Sequence, residues 1–161
     1  MTLSGVKPST KDVDFMVPNI QEHQYLIKQL RALEYEPDTG SGWKRAGEIF
    51  RFDIFRGNFI HTTELLTSPL EEGKHIPFKK YSHLYLGILN DNDLISSKLM
   101  RGTRVDFDDC LSLVEAHRAD LDINRLVGHF NELVSFDVAE ARIKPHIQHF
   151  LELLRKRGLY D

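Results

Sequence analysis

Two aspartates separated by a single residue, Asp12 and Asp14, stand in a segment that alternates polar and apolar residues, Asp12–Val17. Such alternation predicts a half-buried β-strand, which Pro18 and Asn19 end. Side chains two residues apart on a strand point to the same face, about 7 Å apart along the backbone. Paired carboxylates in this arrangement favour binding of a divalent metal ion.

A third carboxylate, Asp53, lies in a run of apolar residues that predicts a second strand, Glu48–Arg56. Arg51 and Asp53 share one face of that strand, while phenylalanine and isoleucine side chains occupy the other. Desolvating an unpaired carboxylate is costly, so we expect water, a cation or hydrogen-bond donors beside Asp53. If the two strands pair, Asp12, Asp14 and Asp53 converge and could hold a pair of Mg²⁺ or Mn²⁺ ions.

The same aspartates also have a purely structural interpretation. An aspartate pair with one residue between its members occurs often by chance, and strand ends near solvent commonly carry aspartate. Asp53 would then pair with a nearby lysine or arginine instead of a metal ion. The spacing alone leaves both interpretations open.

The elements around these aspartates follow from the pattern of apolar residues. Asn19 caps a predicted amphipathic helix over Ile20–Leu33, which packs one face on a sheet. Trp43–Arg45 and Glu48–Arg56 predict two strands joined by a tight turn near Gly47, as in a hairpin. This order of elements is that of a small mixed sheet with a helix beside it.

The rest of the chain divides into a short mixed stretch and a helical one. Phe59–Gly73 predicts a loop, and two further strands follow at Lys74–Lys80 and His83–Leu89. Helical periodicity then recurs over Asp93–Arg101, Asp106–His117, Asp122–Val134 and Asp137–Arg157. The patterns therefore predict an α/β (α+β) fold class in a single domain, 1–161, with a mixed core at 1–90 and a helical C-terminal part at 91–161.

Composition excludes several classes of protein. With 161 residues the chain is long enough for one core, which buries roughly two-thirds of the surface that the unfolded chain exposes. No segment approaches about 18 consecutive apolar residues, and residues 1–11 lack the pattern of a signal or transit peptide, so we expect a soluble cytoplasmic protein. The single cysteine, Cys110, is expected to be buried, and the net charge of −3 does not favour nucleic-acid binding.

The segment Gly5–Phe15, followed by a helix, a hairpin that carries Asp53 and a helical tail, resembles the minimal nucleotidyltransferases. More narrowly, it is similar to the toxin-antitoxin and abortive-infection branch of that superfamily, over roughly residues Gly5–Val114. The resemblance implies that Asp12 and Asp14 are catalytic and bind both metal ions. It also implies that Asp53 is the third catalytic and metal-binding carboxylate.

The same resemblance implies a set of nucleotide-binding residues. Ser9, Thr10 and Lys11 would lie beside the phosphates of a nucleoside triphosphate. Lys98 and Arg101 belong to a segment similar to the family's helix that approaches the nucleotide, where a lysine contacts phosphate. Their spacing of three residues places both cations on one helix face.

The activity that the resemblance implies is transfer of a nucleoside monophosphate from a nucleoside triphosphate to a protein or RNA acceptor, with Mg²⁺ or Mn²⁺. In a toxin-antitoxin setting that acceptor would be a partner toxin protein or a tRNA. Family members carry a Gly-Gly or Gly-Ser step roughly ten residues before the aspartate pair, whose amides cradle phosphate. Here Gly5 stands alone. Either the protein starts upstream of Met1, or the chain is a non-catalytic, antitoxin-like binding partner that kept the fold.

A third hypothesis is a nucleic-acid-binding module built on basic side chains. The candidates are Lys79, Lys80, Lys98, Arg101 and Arg104. Net charge opposes this hypothesis, and Asp106 could pair with Arg104.

The histidines carry weaker signals. His146 and His149 are three residues apart among apolar neighbours, which indicates helix docking rather than metal binding. His61 and His83 lie in the mixed half and could approach the acidic residues. The sequence gives no geometric reason to prefer one of these histidines over the other.

Overall fold

A mixed β-sheet carries the acidic residues. The computed structural model describes residues 1–2, 5–7 and 12–161, which divide into two compact units. The first, the sheet unit, comprises Thr2 and Lys7–Lys74. Its elements in chain order are β1 (Asp12–Val17), α1 (Ile20–Ala32), β2 (Glu36–Pro37), β3 (Gly42–Lys44), β4 (Arg51–Arg56), β5 (Phe59–Ile60) and β6 (Thr63–Glu64).

The strands β1, β4, β3 and β2 lie side by side in that order. β1 and β4 run parallel, whereas β4, β3 and β2 are antiparallel neighbours. Parallel pairing of two strands needs a long connection between them, and here α1 and the β2–β3 hairpin supply it. The sequence therefore brings its first strand beside its fourth.

The two faces of the β1–β4 pair differ in polarity because side chains alternate along each strand. One face carries Val13 and Phe15 of β1 with Phe52 and Ile54 of β4, and the rings of Phe15 and Phe52 are 5.9 Å apart. The other face carries the aspartates. The first of these faces is therefore the more apolar one.

Helix α1 lies on that apolar face. Asn19 begins it, because the side-chain oxygen of Asn19 accepts hydrogen bonds from the amides of the second and third residues after it. His23 lies near the backbone of Ile54 and the guanidinium of Arg56, and the guanidinium of Arg31 lies over the ring of Trp43. The predicted helix is confirmed, with its end one residue earlier than expected.

Two predictions in the sheet unit need correction. The second strand of the predicted hairpin begins at Arg51 and not at Glu48, because Glu48 bonds to Tyr35 and Arg45 and leaves Ile49 82% exposed. The segment predicted as a loop over Phe59–Gly73 contains the short antiparallel hairpin β5–β6. Strands of two residues are too short for alternation to reveal them.

The second unit, the helical unit, contains His75–Asp161 as its main part. Its elements are β7 (His75–Lys80), β8 (Tyr85–Leu89), α2 (Asp91–Arg101), α3 (Arg104–Ala116), α4 (Ile123–Ser135), α5 (Glu140–Ile143) and α6 (Pro145–Lys156). The sequence predicts these two strands, and the structure pairs β7 and β8 as an antiparallel hairpin. The helices bury a dense apolar core that includes Ile95, Leu99, Leu113, Leu126, Phe130, Ile147, Phe150 and Leu154.

The last predicted helix, Asp137–Arg157, is wrong as a single element. The structure divides it into α5 and α6 at Lys144. Pro145 has no backbone N–H, so it cannot continue the hydrogen-bond ladder of α5, but it fits the first turn of α6. With this change, the described chain is of the predicted α+β class, and none of its described helices has the length and apolar character that crossing a bilayer requires.

Candidate functional site

The candidate site is the polar face of the β1–β4 pair. In the parallel register Asp14 lies opposite Asp53, and Asp12 lies opposite Arg51. Paired residues of neighbouring strands point to the same face, and the strands are about 4.8 Å apart. The strand pairing on which convergence of the three carboxylates depends is therefore present.

Asp53 is the most enclosed of these carboxylates, with 14% of its side chain exposed. The hydroxyl of Ser41 donates a 2.8 Å hydrogen bond to one carboxylate oxygen, and Nε of Arg51 lies 3.7 Å from the other. The expectation that donors or a cation would compensate Asp53 is thus met by protein side chains. These contacts hold its carboxylate in one orientation.

Arg51 lies between two carboxylates. Its Nη1 is 3.3 Å from Asp38, whose other oxygen is 3.1 Å from Nζ of Lys44. Lys44, through its hydrogen bond, is the main cause that lowers the pKa of Asp38. Gly42 makes room for this arrangement, because a Cβ there would lie 3.0 Å from Nε of Arg51 and 3.0 Å from the carbonyl of Thr39.

His61 also reaches the acidic face. It begins the two-residue turn between β5 and β6, and its Nε2 lies 3.9 Å from a carboxylate oxygen of Asp14. The ring stands edge-on to Phe55, with 4.8 Å between centroids. In the sequence, His61 and His83 were equal candidates to approach the acidic residues. The two-residue turn that orients His61 is too short to be predicted from the spacing of apolar residues.

Three of the predicted nucleotide-binding residues, Ser9, Thr10 and Lys11, lie outside the described residues. Their predicted place beside the phosphates stays a prediction. The other two, Lys98 and Arg101, belong to the helical unit and lie on α2.

Both α2 cations pair with carboxylates of α3. Nζ of Lys98 is 2.8 Å from Asp109, and these side chains are only 13% and 9% exposed. Arg101 pairs with Asp106, which also accepts a 2.7 Å hydrogen bond from the hydroxyl of Thr103. Asp106 and Thr103 in addition form the capping box of α3, in which each side chain accepts a hydrogen bond from the other's backbone N–H. The ion-pair partner of Asp106 is therefore Arg101, whereas the sequence suggested Arg104. Any phosphate at Lys98 has to compete with Asp109.

Two His–Asp pairs in the helical unit were not foreseen. His117 lies 2.7 Å from Asp91, and His129 lies 2.7 Å from Asp93. The carboxylate of Asp93 also accepts a hydrogen bond from the side-chain amide of Asn90. Asp91 and Asp93 stand in the first turn of α2, so these pairs connect its N-terminus to the end of α3 and to α4. Sequence distances of 26 and 36 residues leave no local signal for them.

The remaining histidines on α6 and the cysteine have structural roles, as predicted. The ring N–H of His146 donates a 2.7 Å hydrogen bond to the carbonyl of Leu99, and both His146 and His149 stand edge-on to Phe107. Cys110 is fully buried, and desolvation raises the pKa of its thiol far above the usual range.

The donor set of the polar face fits a hard divalent cation, because Asp12, Asp14 and Asp53 supply carboxylate oxygens on adjacent strands. Within the described part of the chain no three His, Cys, Asp or Glu side chains are already gathered around one point. Binding of an ion would therefore require the exposed side chains of Asp12 and Asp14 to turn toward it.

No protein-family model and no curated protein matches this sequence significantly.

Proposed function

We propose that this chain is a metal-dependent protein of the nucleotidyltransferase type, which transfers a nucleoside monophosphate from a nucleoside triphosphate to a hydroxyl of a protein or RNA acceptor and releases pyrophosphate. The observation that carries the proposal is the parallel β1–β4 register, which puts Asp14 opposite Asp53 and leaves Asp12 on the same face. The resemblance noted for residues Gly5–Val114 requires three carboxylates in this relation.

In this proposal the carboxylates have two tasks, metal binding and proton transfer. Asp12 and Asp14 are exposed, and together with Asp53 they bind the metal ions that accompany the triphosphate. Asp53 is held by Ser41 and Arg51, and it accepts the proton of the acceptor hydroxyl from a fixed position. Mg²⁺ or Mn²⁺, when bound, would neutralise the negative charge of the triphosphate.

The nucleotide and its acceptor follow from the resemblance. Ser9, Thr10 and Lys11 are proposed to lie beside the phosphates, and the resemblance also gives Lys98 and Arg101 phosphate-binding roles. The proposed setting is a toxin-antitoxin pair, and the acceptor is then the partner toxin protein or a tRNA.

One observation favours a second candidate, a non-catalytic, antitoxin-like partner of the same fold. Lys98 is almost buried and already neutralised by Asp109, so its charge is not presented to a ligand. The same ion pairs weigh against a nucleic-acid-binding module, since Lys98 and Arg101 are two of its proposed contacts.

Isothermal titration calorimetry separates these candidates. The titrants are ATP, GTP, CTP and UTP with Mg²⁺ or Mn²⁺, and the proteins are the wild type and Asp12→Asn/Asp14→Asn. Asp108→Asn/Asp120→Asn removes the same charge from exposed positions of the helical unit and serves as the matched control.

We expect metal-dependent binding of at least one triphosphate to the wild type and the control, and its loss in Asp12→Asn/Asp14→Asn. Absence of binding to the wild type would leave the non-catalytic partner as the better account. Equal binding by all three proteins would place the nucleotide elsewhere on the chain.

A further inference from the structure

The β7–β8 hairpin of the helical unit exposes a cluster of large apolar side chains. Five of them are between 43% and 54% exposed: Ile76, Phe78, Tyr81, Leu84 and Tyr85. A two-stranded hairpin is only marginally stable in water, and it gains stability when a further strand or another element covers its apolar side chains. Apolar clusters of this kind on a protein surface mark interaction sites.

The two edges of this hairpin differ in their capacity to accept a further strand. On β7, Pro77 has no N–H, the pairing is irregular between Pro77 and Lys79, and both Lys79 and Lys80 carry charge. Natural proteins protect exposed strand edges with these three features. β8 (Tyr85–Leu89) contains neither proline nor a charged residue, and within the described part of the chain it pairs only with β7. The outer edge of β8 is therefore the one at which a strand can be added.

A contact across the hairpin holds β8 in its extended shape. Nε2 of His75 lies 2.7 Å from the hydroxyl oxygen of Tyr85, and the two rings stand edge-on with 5.5 Å between their centroids. A Cβ at Gly87 would lie 2.6 Å from the ring of His75, so the ring fits across β8 because this residue is glycine. An edge that is already held in strand conformation loses less conformational entropy when a partner binds.

Charge indicates the chemistry of the added strand. Residues 74–89 contain three lysines and no aspartate or glutamate, although the whole chain has a net charge of −3. Lys80 lies opposite Tyr85, so a residue that the new strand places beside Tyr85 is two strand spacings, about 9.6 Å, from Lys80. Two long side chains of opposite charge can span that distance. Leu86 and Ile88 point to the other face, so the complementary strand alternates acidic and apolar residues.

Three other occupants agree less well with this surface. A second copy of the chain would bring together two hairpins whose charged side chains are all lysines. A lipid bilayer would leave the unpaired N–H and C=O groups of the β8 edge without partners. A nucleic acid would meet few cations on a negatively charged chain, and aliphatic side chains such as Ile76 and Leu84 do not stack on bases as aromatic rings do.

We propose that the outer edge of β8 binds a partner protein through an extended segment of alternating acidic and apolar residues, which adds to the hairpin as a third strand. In the proposed toxin-antitoxin setting this segment belongs to the partner toxin, and the inference rests on the proposed function for that assignment alone. The surface lies within the helical unit, and its binding requires neither a metal ion nor a nucleotide.

The test uses the full chain and a fluorescein-labelled peptide of repeated Glu-Val units, blocked at both ends and about eight residues long. Fluorescence anisotropy at about 0.15 M salt gives its affinity, and hydrogen exchange followed by NMR reports on the amides of Tyr85–Leu89. A Lys-Val peptide of equal length is the control probe. The variant is Lys79→Glu/Lys80→Glu, and Lys144→Glu/Lys156→Glu makes the same charge change at exposed positions elsewhere in the unit.

We expect the Glu-Val peptide to bind the wild type and to slow amide exchange in Tyr85–Leu89, whereas the Lys-Val peptide does not bind. Affinity should fall roughly tenfold or more in Lys79→Glu/Lys80→Glu, because the carboxylates of the peptide then meet like charges. In Lys144→Glu/Lys156→Glu it should change less than about threefold, because these positions lie outside the hairpin.

Absence of Glu-Val binding at roughly millimolar peptide, equal binding of the two peptides, or binding without protection of β8 would overturn the inference. Protection of the same amides by a single-stranded oligouridylate, by phosphatidylserine vesicles or by raised protein concentration, but not by the peptide, would assign the surface to a nucleic acid, a membrane or a second copy instead. Triphosphate binding in the wild type and Asp12→Asn/Asp14→Asn is measured without the peptide, so failure of the proposed function is read separately.

Discussion

At the scale of single residues, the ion pair of Lys98 with Asp109 decides between two roles for this lysine. With 2.8 Å between the charged atoms and little exposure of either side chain, each charge depends on the other for compensation. A residue with a purely phosphate-binding role would leave stability nearly unchanged when replaced. A residue that completes an internal ion pair would not.

We expect Lys98→Met and Asp109→Leu each to lower the free energy of unfolding by about 3 kcal/mol, because each leaves a nearly buried charge without its partner. The double variant should lose less than the sum, with a coupling energy of at least ~1 kcal/mol. Urea unfolding followed by circular dichroism measures all three. The exposed pair Lys144 and Glu140, at 3.3 Å, provides a matched cycle with coupling below about 0.5 kcal/mol.

A Lys98→Met protein with wild-type stability and no triphosphate binding would contradict this account. That result would return Lys98 to the phosphate role that the resemblance implies.

The second residue-scale prediction concerns His23 and pH. Burial, and then the nearby Arg56, lower its pKa below the ordinary value of 6.5. The folded state therefore binds fewer protons than the unfolded state just below pH 6.5, so stability rises with pH there. This contribution is fully present above pH 6.5 and is lost as the pH falls toward the folded pKa.

We expect His23→Gln to lose less stability than the wild type between about pH 7.5 and pH 5. Urea titrations followed by the fluorescence of Trp43, the only tryptophan, report on the sheet unit. Parallel curves for the two proteins would show that His23 does not contribute.

At the scale of elements, the junction between α2 and α3 depends on a glycine. Gly102 ends α2 with a φ of 64°, and an added Cβ would overlap the ring of His146, which bonds to the carbonyl of Leu99. The ring occupies the space that a side chain at position 102 would need. Gly158 has a similar φ of 65° after α6, with no atom within 4 Å of its Cβ position.

We expect Gly102→Ala to cost about 3 kcal/mol, from left-handed strain together with displacement of His146, and Gly158→Ala to cost about 1 kcal/mol from strain alone. Thermal unfolding of both proteins, with Gly102→Ala/His146→Ala as a third, measures the two contributions. Similar costs for the two glycine variants would show that His146 moves aside without penalty.

At the scale of the whole molecule, the two units are packed to different extents. The largest fully buried side chains of the described chain lie in the helical unit, with Thr63 as the one member from the sheet unit. Each unit also carries a single reporter, Trp43 in the sheet unit and Cys110 in the helical unit. The buried thiol reacts only when the helical core opens.

We expect Phe150→Ala to speed labelling of Cys110 by a disulfide reagent roughly 100- to 4,000-fold, since removing a fully buried phenylalanine costs about 3–5 kcal/mol. Phe136→Ala, at a position 77% exposed in the same unit, is the matched control and should label at the wild-type rate. Equal acceleration in both variants would contradict the assignment of the core.

Much of the fold could be predicted because its signals are local. The alternation of polar and apolar residues predicted β1, and the helical spacing of apolar residues predicted α1 and α2 to α4. Capping residues such as Asn19 marked the starts of helices. The pattern failed where the determining feature was a single backbone group or a very short element. Pro145 interrupts a helix whose apolar spacing continues across it, and β5–β6 is too short to alternate.

The sequence by itself determined that three aspartates stand on two strands, with Asp53 in a setting that demands compensation. Only the tertiary structure decided which residues compensate them, because Ser41, Arg51 and His61 reach the acidic face through strand register and turn geometry. The same holds for Lys98 and Arg101, whose partners are set by the packing of α2 against α3. Side-chain type and spacing act along the chain, whereas charge compensation depends on distances that exist only after folding.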